Sequence, residues 1–462
     1  VSETVTERPE AGADEPYAVN ADLVRRVETA LDEGRPEEAR LLVATLRPGD
    51  AADVFEALPR DDRESLAEAL GAGLDPEVLT ELDGAILEDI LGRLSPSYLA
   101  RLILELDSDE AVYVLENMDD EAREETLRFV PAPDRATVLE SLSFPEESAG
   151  RLMQRELIAV PAYWTVGQVI DYCRETRDLP DEFYEIYVID PRHRPIGHVP
   201  LNRLLRTRRP KLLREIMDED STLIPVEMDQ EEVAFQFRQY RLASAPVVDA
   251  DGRLVGVITF DDIVDVVEEE AEEDLMRLSG VAAESDLFEP ALRTARTRST
   301  WLFVNLLTAI LASIVIAFFD GTIEQMVALA VLLPIVASMG GNAGTQTLTV
   351  AVRALATREL TAANAVRIVG KEAVVGGLNG IVFAILMGLI ASLWFQSPGI
   401  GLVIASAMVI NLLVAGLAGI LIPLGLARAG IDPAVAASVF LTTITDVIGF
   451  LAFLGLAALF LL

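Results

Sequence analysis

The stretch "PIVASMGGNAGTQTLTV", Pro334 to Val350, lies inside a long apolar run, and its middle is unlike an ordinary membrane helix. "MGGNAGTQ" places three glycines, an asparagine, a threonine and a glutamine where leucine would be cheapest. Glycine and proline at membrane depth let other backbones approach and free carbonyl groups, but irregular backbone is tolerated there only against protein or a wet cavity. The stretch is therefore expected to line a polar path, with Gly340, Gly341, Asn342, Gly344 and Gln346 on it. Close packing through small residues accounts for the glycines, but not for Asn342 and Gln346 together.

Five apolar segments surround it, at about Trp301 to Phe319, Met326 to Leu355, Val374 to Phe395, Ile400 to Leu426 and Ala434 to Leu461. Each reaches or approaches the roughly 20 residues that cross a bilayer. Arg293, Arg296 and Arg298 precede the first; Arg353, Arg358, Arg367 and Lys371 lie between the second and third, and Arg428 between the fourth and fifth. The loops on the other side contain Asp320 and Glu324, then no charge. By the positive-inside rule the soluble half is cytoplasmic and the C-terminus outside, in a plasma or inner membrane.

In the fifth segment, "LTTITDVIGF" puts Asp446 near the middle, where an aspartate costs about 2.5 to 3.5 kcal/mol. Thr442 and Thr443 stand one turn before it and Thr445 beside it. An acidic group with no lysine or arginine near the bilayer centre is most simply explained by a cation. Mg2+ prefers oxygen ligands and keeps several waters, so one carboxylate with amide and hydroxyl oxygens suits a largely hydrated ion. Thiolate-seeking metals are excluded by the absence of cysteine and histidine from this half. Co2+ and Mn2+ remain alternatives to Mg2+.

The half before Arg293 is different in kind. Of the 462 residues, those from Val1 to Leu292 carry 68 acidic and 29 basic side chains, a net charge of −39, against 6 acidic and 8 basic from Arg293 onward. Such a charge repels nucleic acid and anionic lipid, and opposes its own compaction unless cations screen it. Cys173 is the single cysteine, which excludes an intrachain disulfide and fits a reducing compartment. The opening "VSETVTERPEAGADEPY" has no apolar core of a signal peptide, and residues 1–19 read as a disordered tail.

From residue 20 to 150 the pattern is short amphipathic helices, as in "LVRRVETAL" and "LARLILEL", punctuated at "RPGD", "LPRDD", "LSPS" and "NMDDE": an all-α superhelix. Asp107, Asp109, Glu110, Asp119 and Asp120 read singly as helix caps and as a set as a cation-binding face. Residues 151–267 alternate strand and helix, with "FYEIYVIDPRHRPIGHVPLNRLL" and "LASAPVVDADGRLVGVITFDDIV" as two copies of one α/β unit. These resemble a tandem pair of CBS modules. Thr259 and Asp262 match that module's ribose-contacting positions, whereas the first copy has Pro200 and Arg203 there, so an adenine nucleotide and a merely structural pair are both open readings. His193 and His198 lie in the first copy's hairpin without metal-ligand spacing. "FDDIVDVVEEEAEEDLMRLSG", Phe260 to Gly280, comes next and leads into an acidic connecting helix over 268–298; its like charges at i, i+4 need compensation by solvent or by bound divalent ions. The five membrane helices then occupy 299–462.

The order of acidic helical domain, "EESAGRLM", paired CBS modules, acidic connecting helix and five membrane helices resembles the MgtE-type magnesium channels and transporters. "GGNAGTQ", "RALATREL", Lys371–Glu372, "DPA" at Asp432 and Asp446 are similar to that family's membrane motifs. The resemblance implies a homodimer with the ion path on its two-fold axis, Asp446 from both subunits selecting hydrated Mg2+, and the connecting helix as a plug. It also implies cytosolic Mg2+-sensing positions at Asp229, Glu231, Asp262, Asp265, Glu270, Glu273 and Asp274, to which the face at Asp107, Asp109 and Glu110 is added. Arg241 and Tyr113 depart from it, standing where acidic residues are usual.

Two other classes compete with a Mg2+ importer closed by cytosolic Mg2+. A membrane-tethered CBS sensor would use the helices only as an anchor, and an anchor has no use for Asp446. An intramembrane hydrolase needs a second acidic group or a histidine within the membrane; Asp432 sits at a helix start and this half has no histidine.

Overall fold

The computed structural model describes residues 21–176, 179–180, 182–281 and 291–462; the tail expected at 1–19 lies outside them. The chain divides into two compact units, Val1–Val267 and Glu268–Leu462.

The first unit opens with helices α1 (Ala21–Asp32), α2 (Pro36–Val43), α3 (Pro48–Ala57), α4 (Arg60–Leu70), α5 (Gly84–Leu91), α6 (Pro96–Ile103), α7 (Ser108–Glu116), α8 (Asp120–Leu127) and α9 (Ala132–Ser141). Prolines at the first turn of α2, α3 and α6 set each start where the missing N–H is harmless. Helices this short are marginal alone, so packing holds them: Phe55, Leu58, Leu66, Leu79, Ile86, Leu87 and Ile90 are fully buried in one core.

After α10 (Ala149–Leu152) comes the first α/β copy: β1 (Ala159–Pro161), α11 (Val166–Glu175), β2 (Glu185–Ile189), β3 (Pro195–Pro200) and α12 (Leu201–Arg206). The second repeats it as β4 (Ile224–Pro225), α13 (Gln230–Tyr240), β5 (Ser244–Val248), β6 (Leu254–Thr259) and the start of α14 (Phe260–Leu278). In each, the first strand pairs parallel and the third antiparallel to the second, because an intervening helix makes the crossover and a hairpin the return. A hydrogen bond of 2.7 Å between buried Tyr187 and Ser244 joins the two copies.

The second unit carries five helices long and apolar enough to span a membrane, within α15 (Ala291–Ala317), α17 (Ala328–Ala356), α18 (Ala365–Trp394), α19 (Pro398–Arg428) and α20 (Pro433–Phe460), with short α16 (Asp320–Gln325) after the first. α19 is central, and Ile404, Ala407, Met408 and Phe453 are wholly buried. Glycines let α18 and α19 touch backbone to backbone: a Cβ on Gly376 would lie 2.8 Å from the Leu412 carbonyl oxygen. Leu302, Phe303, Leu307, Ile385 and Leu389 are exposed, as a lipid-facing surface requires.

Two expectations are corrected. The polar stretch is not irregular backbone: α17 runs unbroken through Pro334 and "GGNAGTQ". The acidic connecting helix is α14, which starts at Phe260 inside the second copy and ends at Leu278, with Gly280 in the left-handed region at φ 71°. Residues 282–290 of the connecting segment lie outside the described residues.

Candidate functional site

The unbroken course of α17 follows from what fills its glycine notches. Asn411 of α19 is wholly buried, and its Nδ2 donates to the Val336 carbonyl at 2.8 Å. A Cβ on Gly340 would lie 2.3 Å from that Nδ2, and a Cβ on Gly449 of α20 would lie 2.8 Å from it. Leu441 occupies the notch at Gly344 in the same way, 2.8 Å from where a Cβ would be. Gly340 and Gly344 are thus sockets for neighbouring side chains. Gly341 is different: among the described residues a Cβ there would have only a Thr442 methyl within 4 Å, at 3.9 Å.

Asn342 is exposed on α17 and reaches Ser338 at 3.4 Å, while Gln346 lines a cavity on the side of α18. On α20, Asp446 is half-buried, Thr445 wholly buried, Thr442 exposed and Thr443 half-buried. The three threonine hydroxyls donate to carbonyls one turn back: Thr442 to Ser438, Thr443 to Val439 at 2.7 Å and Thr445 to Leu441 at 3.1 Å. A hydroxyl whose hydrogen is spent presents only acceptor lone pairs. Water in a cation's inner shell donates outward, so Thr442, Thr443 and the Asp446 carboxylate form one acceptor surface suited to a hydrated cation. Among the described residues no ion pair or hydrogen bond engages the Asp446 carboxylate.

In the first unit, the sensing candidates separate by role. Asp107 starts α7 in a capping box, with Glu110 accepting from the Asp107 backbone N–H at 3.0 Å. Asp229 caps α13 by accepting from the Glu231 N–H at 3.0 Å. Asp109 and Asp262 instead face one another. Burial, then repulsion by Asp262, holds the Asp109 carboxyl well above its ordinary range; burial raises Asp262 to about 6 and Glu110 to about 7. Asp109 Oδ1 is buried with no hydrogen-bond partner among the described residues, an acceptor left for a cation. Burial raises Glu81 too, helped by the charge of Asp265.

The nucleotide candidates are turned toward each other: Thr259 donates to Asp262 from its hydroxyl at 2.7 Å and from its backbone N–H at 3.0 Å. The two departures have structural work. Arg241 ends α13 in the left-handed region at φ 55°, and Tyr113 donates to the Leu82 carbonyl at 3.1 Å.

In the second unit, Arg277 near the end of α14 pairs with Glu273 and with Asp432, the N-cap of α20. Burial, then Asp432 and Glu270, raises Asp274 to about 6. Among the described residues no three acidic, histidine or cysteine side chains converge as a ready metal centre. The carboxylates gather in pairs, Asp109 with Asp262 and Asp274 with Asp432, the Arg277 guanidinium lying on Asp432 of the second pair.

Sequence reasoning missed Asn411, one polar residue in an apolar run, and Arg277, one base in an acidic helix. The glycine at each of two facing positions was the signal available for Asn411. Asn411→Leu is expected to cost about 2–4 kcal/mol of stability and to lower ion flux at least about tenfold, since it overfills two sockets and removes a buried hydrogen bond between α19 and α17. Thermal unfolding in detergent beside flux in vesicles checks it; wild-type values in both would reduce Asn411 to filler.

The MgtE divalent cation transporter family matches residues 333–456, the MgtE intracellular N domain residues 28–147 and the CBS domain residues 213–269. The chain is 32% identical over 447 residues to the magnesium transporter MgtE of Thermus thermophilus, covering 95% of this chain and 98% of that one. It is 27% identical over 440 residues to the magnesium transporter MgtE of Bacillus subtilis, again 95% and 98%. Among solved structures it is similar to the soluble part of a magnesium transporter, at 27% identity and a TM-score of 0.46, covering 54% of this chain and 98% of that one. It is also similar to the cytosolic domain of the Mg2+ channel MgtE in complex with ATP, at 28% identity and a TM-score of 0.49, covering 53% and 99%. With its helical N domain, CBS pair and five membrane helices, this chain belongs to the MgtE family of magnesium transporters.

Proposed function

We propose that this chain, as a homodimer in the cell membrane, imports hydrated Mg2+, and that Mg2+ bound to the acidic cytosolic half closes the path. The observation that carries the reading is Asp446, an intramembrane carboxylate without an ion-pair partner among the described residues, set beside threonines that offer only acceptors. One carboxylate is a weak site for a divalent ion, so the same group from a second protomer on a shared axis completes it. Gly341 and Asn342 border this path, Gly340, Gly344 and Thr445 support it from behind, and Gln346 serves the neighbouring cavity.

Charge sets the direction of regulation. The Asp109–Asp262 pair is held together against repulsion, and Arg277 offsets part of that between Asp274 and Asp432; a divalent ion at each removes what is left. Glu110 adds to the first cluster and Glu270 to the second, Asp265 stands by Glu81 and Glu273 is held by Arg277, while Asp107, Asp229 and Glu231 shape the helix starts. Thr259 and Asp262 satisfy each other, which favours the cation over a nucleotide at Asp262. The arginines between the second and third and the fourth and fifth spans keep the soluble half cytoplasmic and the C-terminus outside.

Uptake by purified full-length chain in sealed vesicles tests this. Mg2+ should enter faster than Co2+ or Mn2+ at equal concentration, and millimolar Mg2+ on the side of the soluble half should stop it. Absence of divalent uptake would leave a tethered sensor.

A further inference from the structure

We propose that the cleft between α17, α18 and α19 is a binding site for the headgroup of an amine-bearing phospholipid such as phosphatidylethanolamine. The cleft has a volume of about 260 Å³ and is lined by Gln346, Thr347, Lys371, Glu372 and Asn379 among apolar neighbours. It is separate from Asp446, which does not line it.

Its chemistry is zwitterionic. Glu372 is largely buried, with a side chain 14% exposed, and accepts from the Thr347 hydroxyl at 3.4 Å. Lys371 is 72% exposed, and its Nζ lies 3.8 Å from a Glu372 carboxylate oxygen. A lone divalent ion would be attracted by Glu372 and repelled by Lys371. A phosphoethanolamine group satisfies both, its ammonium donating to Glu372 and its phosphate accepting from Lys371 and from the Gln346 amide. The walls extend this to a whole lipid: Val350 and Val375 border the cleft and are exposed, as apolar rails along which acyl chains can run.

The depth agrees. α18 has 30 residues and is about 45 Å long, whereas the hydrocarbon core is about 30 Å thick, so about 7 Å of each helix end stands among headgroups. Lys371 is six residues past the start of α18, about 9 Å along it, at the boundary between headgroup and hydrocarbon. It is the end of the helix that also carries Arg367, where anchoring side chains belong.

The test is native mass spectrometry of delipidated full-length protein with dioleoyl phosphatidylethanolamine or dioleoyl phosphatidylcholine, whose ammonium carries no hydrogens. The parent should retain phosphatidylethanolamine on the order of tenfold more tightly, the size of one charge-assisted hydrogen bond. Glu372→Gln should bring that ratio near one. Lys371→Gln should weaken both lipids alike, and Val375→Trp, which narrows the mouth, should exclude both. Equal retention by the parent, an unchanged ratio in Glu372→Gln or unchanged binding in Val375→Trp would each overturn the proposal, as would displacement of the lipid by Mg2+ alone. Should Glu372→Gln fail to fold, the parent's ratio and the other two variants still decide.

Discussion

Asp446→Ala is expected to lower Mg2+ flux through the reconstituted chain at least about 100-fold, without loss of membrane insertion or folding. The direction rests on the cost that the native residue imposes. An aspartate near the centre of a spanning helix is unfavourable by about 2.5 to 3.5 kcal/mol, so alanine should insert more readily. A residue kept at that cost has a compensating partner, and the surroundings of Asp446 name a hydrated cation: two threonines with their hydrogens spent, and no ion-pair partner among the described residues. Loss of that partner's stabilisation, about 2.7 kcal/mol, converts to the 100-fold. Asp446→Asn separates charge from size. It should pass less Mg2+ than the parent and discriminate less against monovalent ions, because an amide still accepts from water but no longer favours a divalent charge. Flux and selectivity equal to the parent's in both variants would remove Asp446 from the path.

The membrane half was legible because its two signals are long. Five apolar runs and the arginines between them read directly as spans, and one aspartate among leucines and threonines stands out from any background. What the sequence concealed was which polar residues look inward. "GGNAGTQ" reads as a unit, yet its first and third glycines are sockets for Asn411 and Leu441, its second lies beside Thr442, and its glutamine belongs to a different cleft. A helix turns 100° per residue, so a polar run of seven distributes itself over three neighbours, and only the neighbours' positions say which residue meets which. The same limit applied in the soluble half. Asp107 and Asp109 are two positions apart and look equivalent in sequence; one begins a helix and the other is buried against Asp262, which is 153 positions further along.

Neutralising Asp262, Asp265, Glu270, Glu273 and Asp274 together, as Asn or Gln, should leave the chain conducting at Mg2+ concentrations that close the parent, raising the closing midpoint at least about tenfold. Moving a population from 1:99 to 99:1 takes about 5.5 kcal/mol of differential binding, which several weak sites can supply jointly and none alone. Single substitutions should therefore shift the midpoint mildly. Protons offer an independent check, because they neutralise the same groups. Asp262 and Glu110 have folded-state values raised to about 6 and about 7, above the ordinary carboxylate range. A group raised on folding gives stability that is full below its unfolded value, near 4, and is lost as pH climbs through the folded value. Without metal, α7 and the start of α14 should consequently have lower amide protection, corrected for the intrinsic base-catalysed exchange rate, at pH 8 than at pH 6, and Mg2+ should protect them more at pH 8. The combined variant retains Asp109 and Glu110 but lacks Asp262, so its pH dependence should shrink without vanishing. If the variant closes at the parent's Mg2+ concentration, the acidic helix is a solvated connector. If the corrected protection in the parent is flat from pH 6 to 8, Asp109 and Asp262 do not repel in solution, and a cation between them has nothing to relieve.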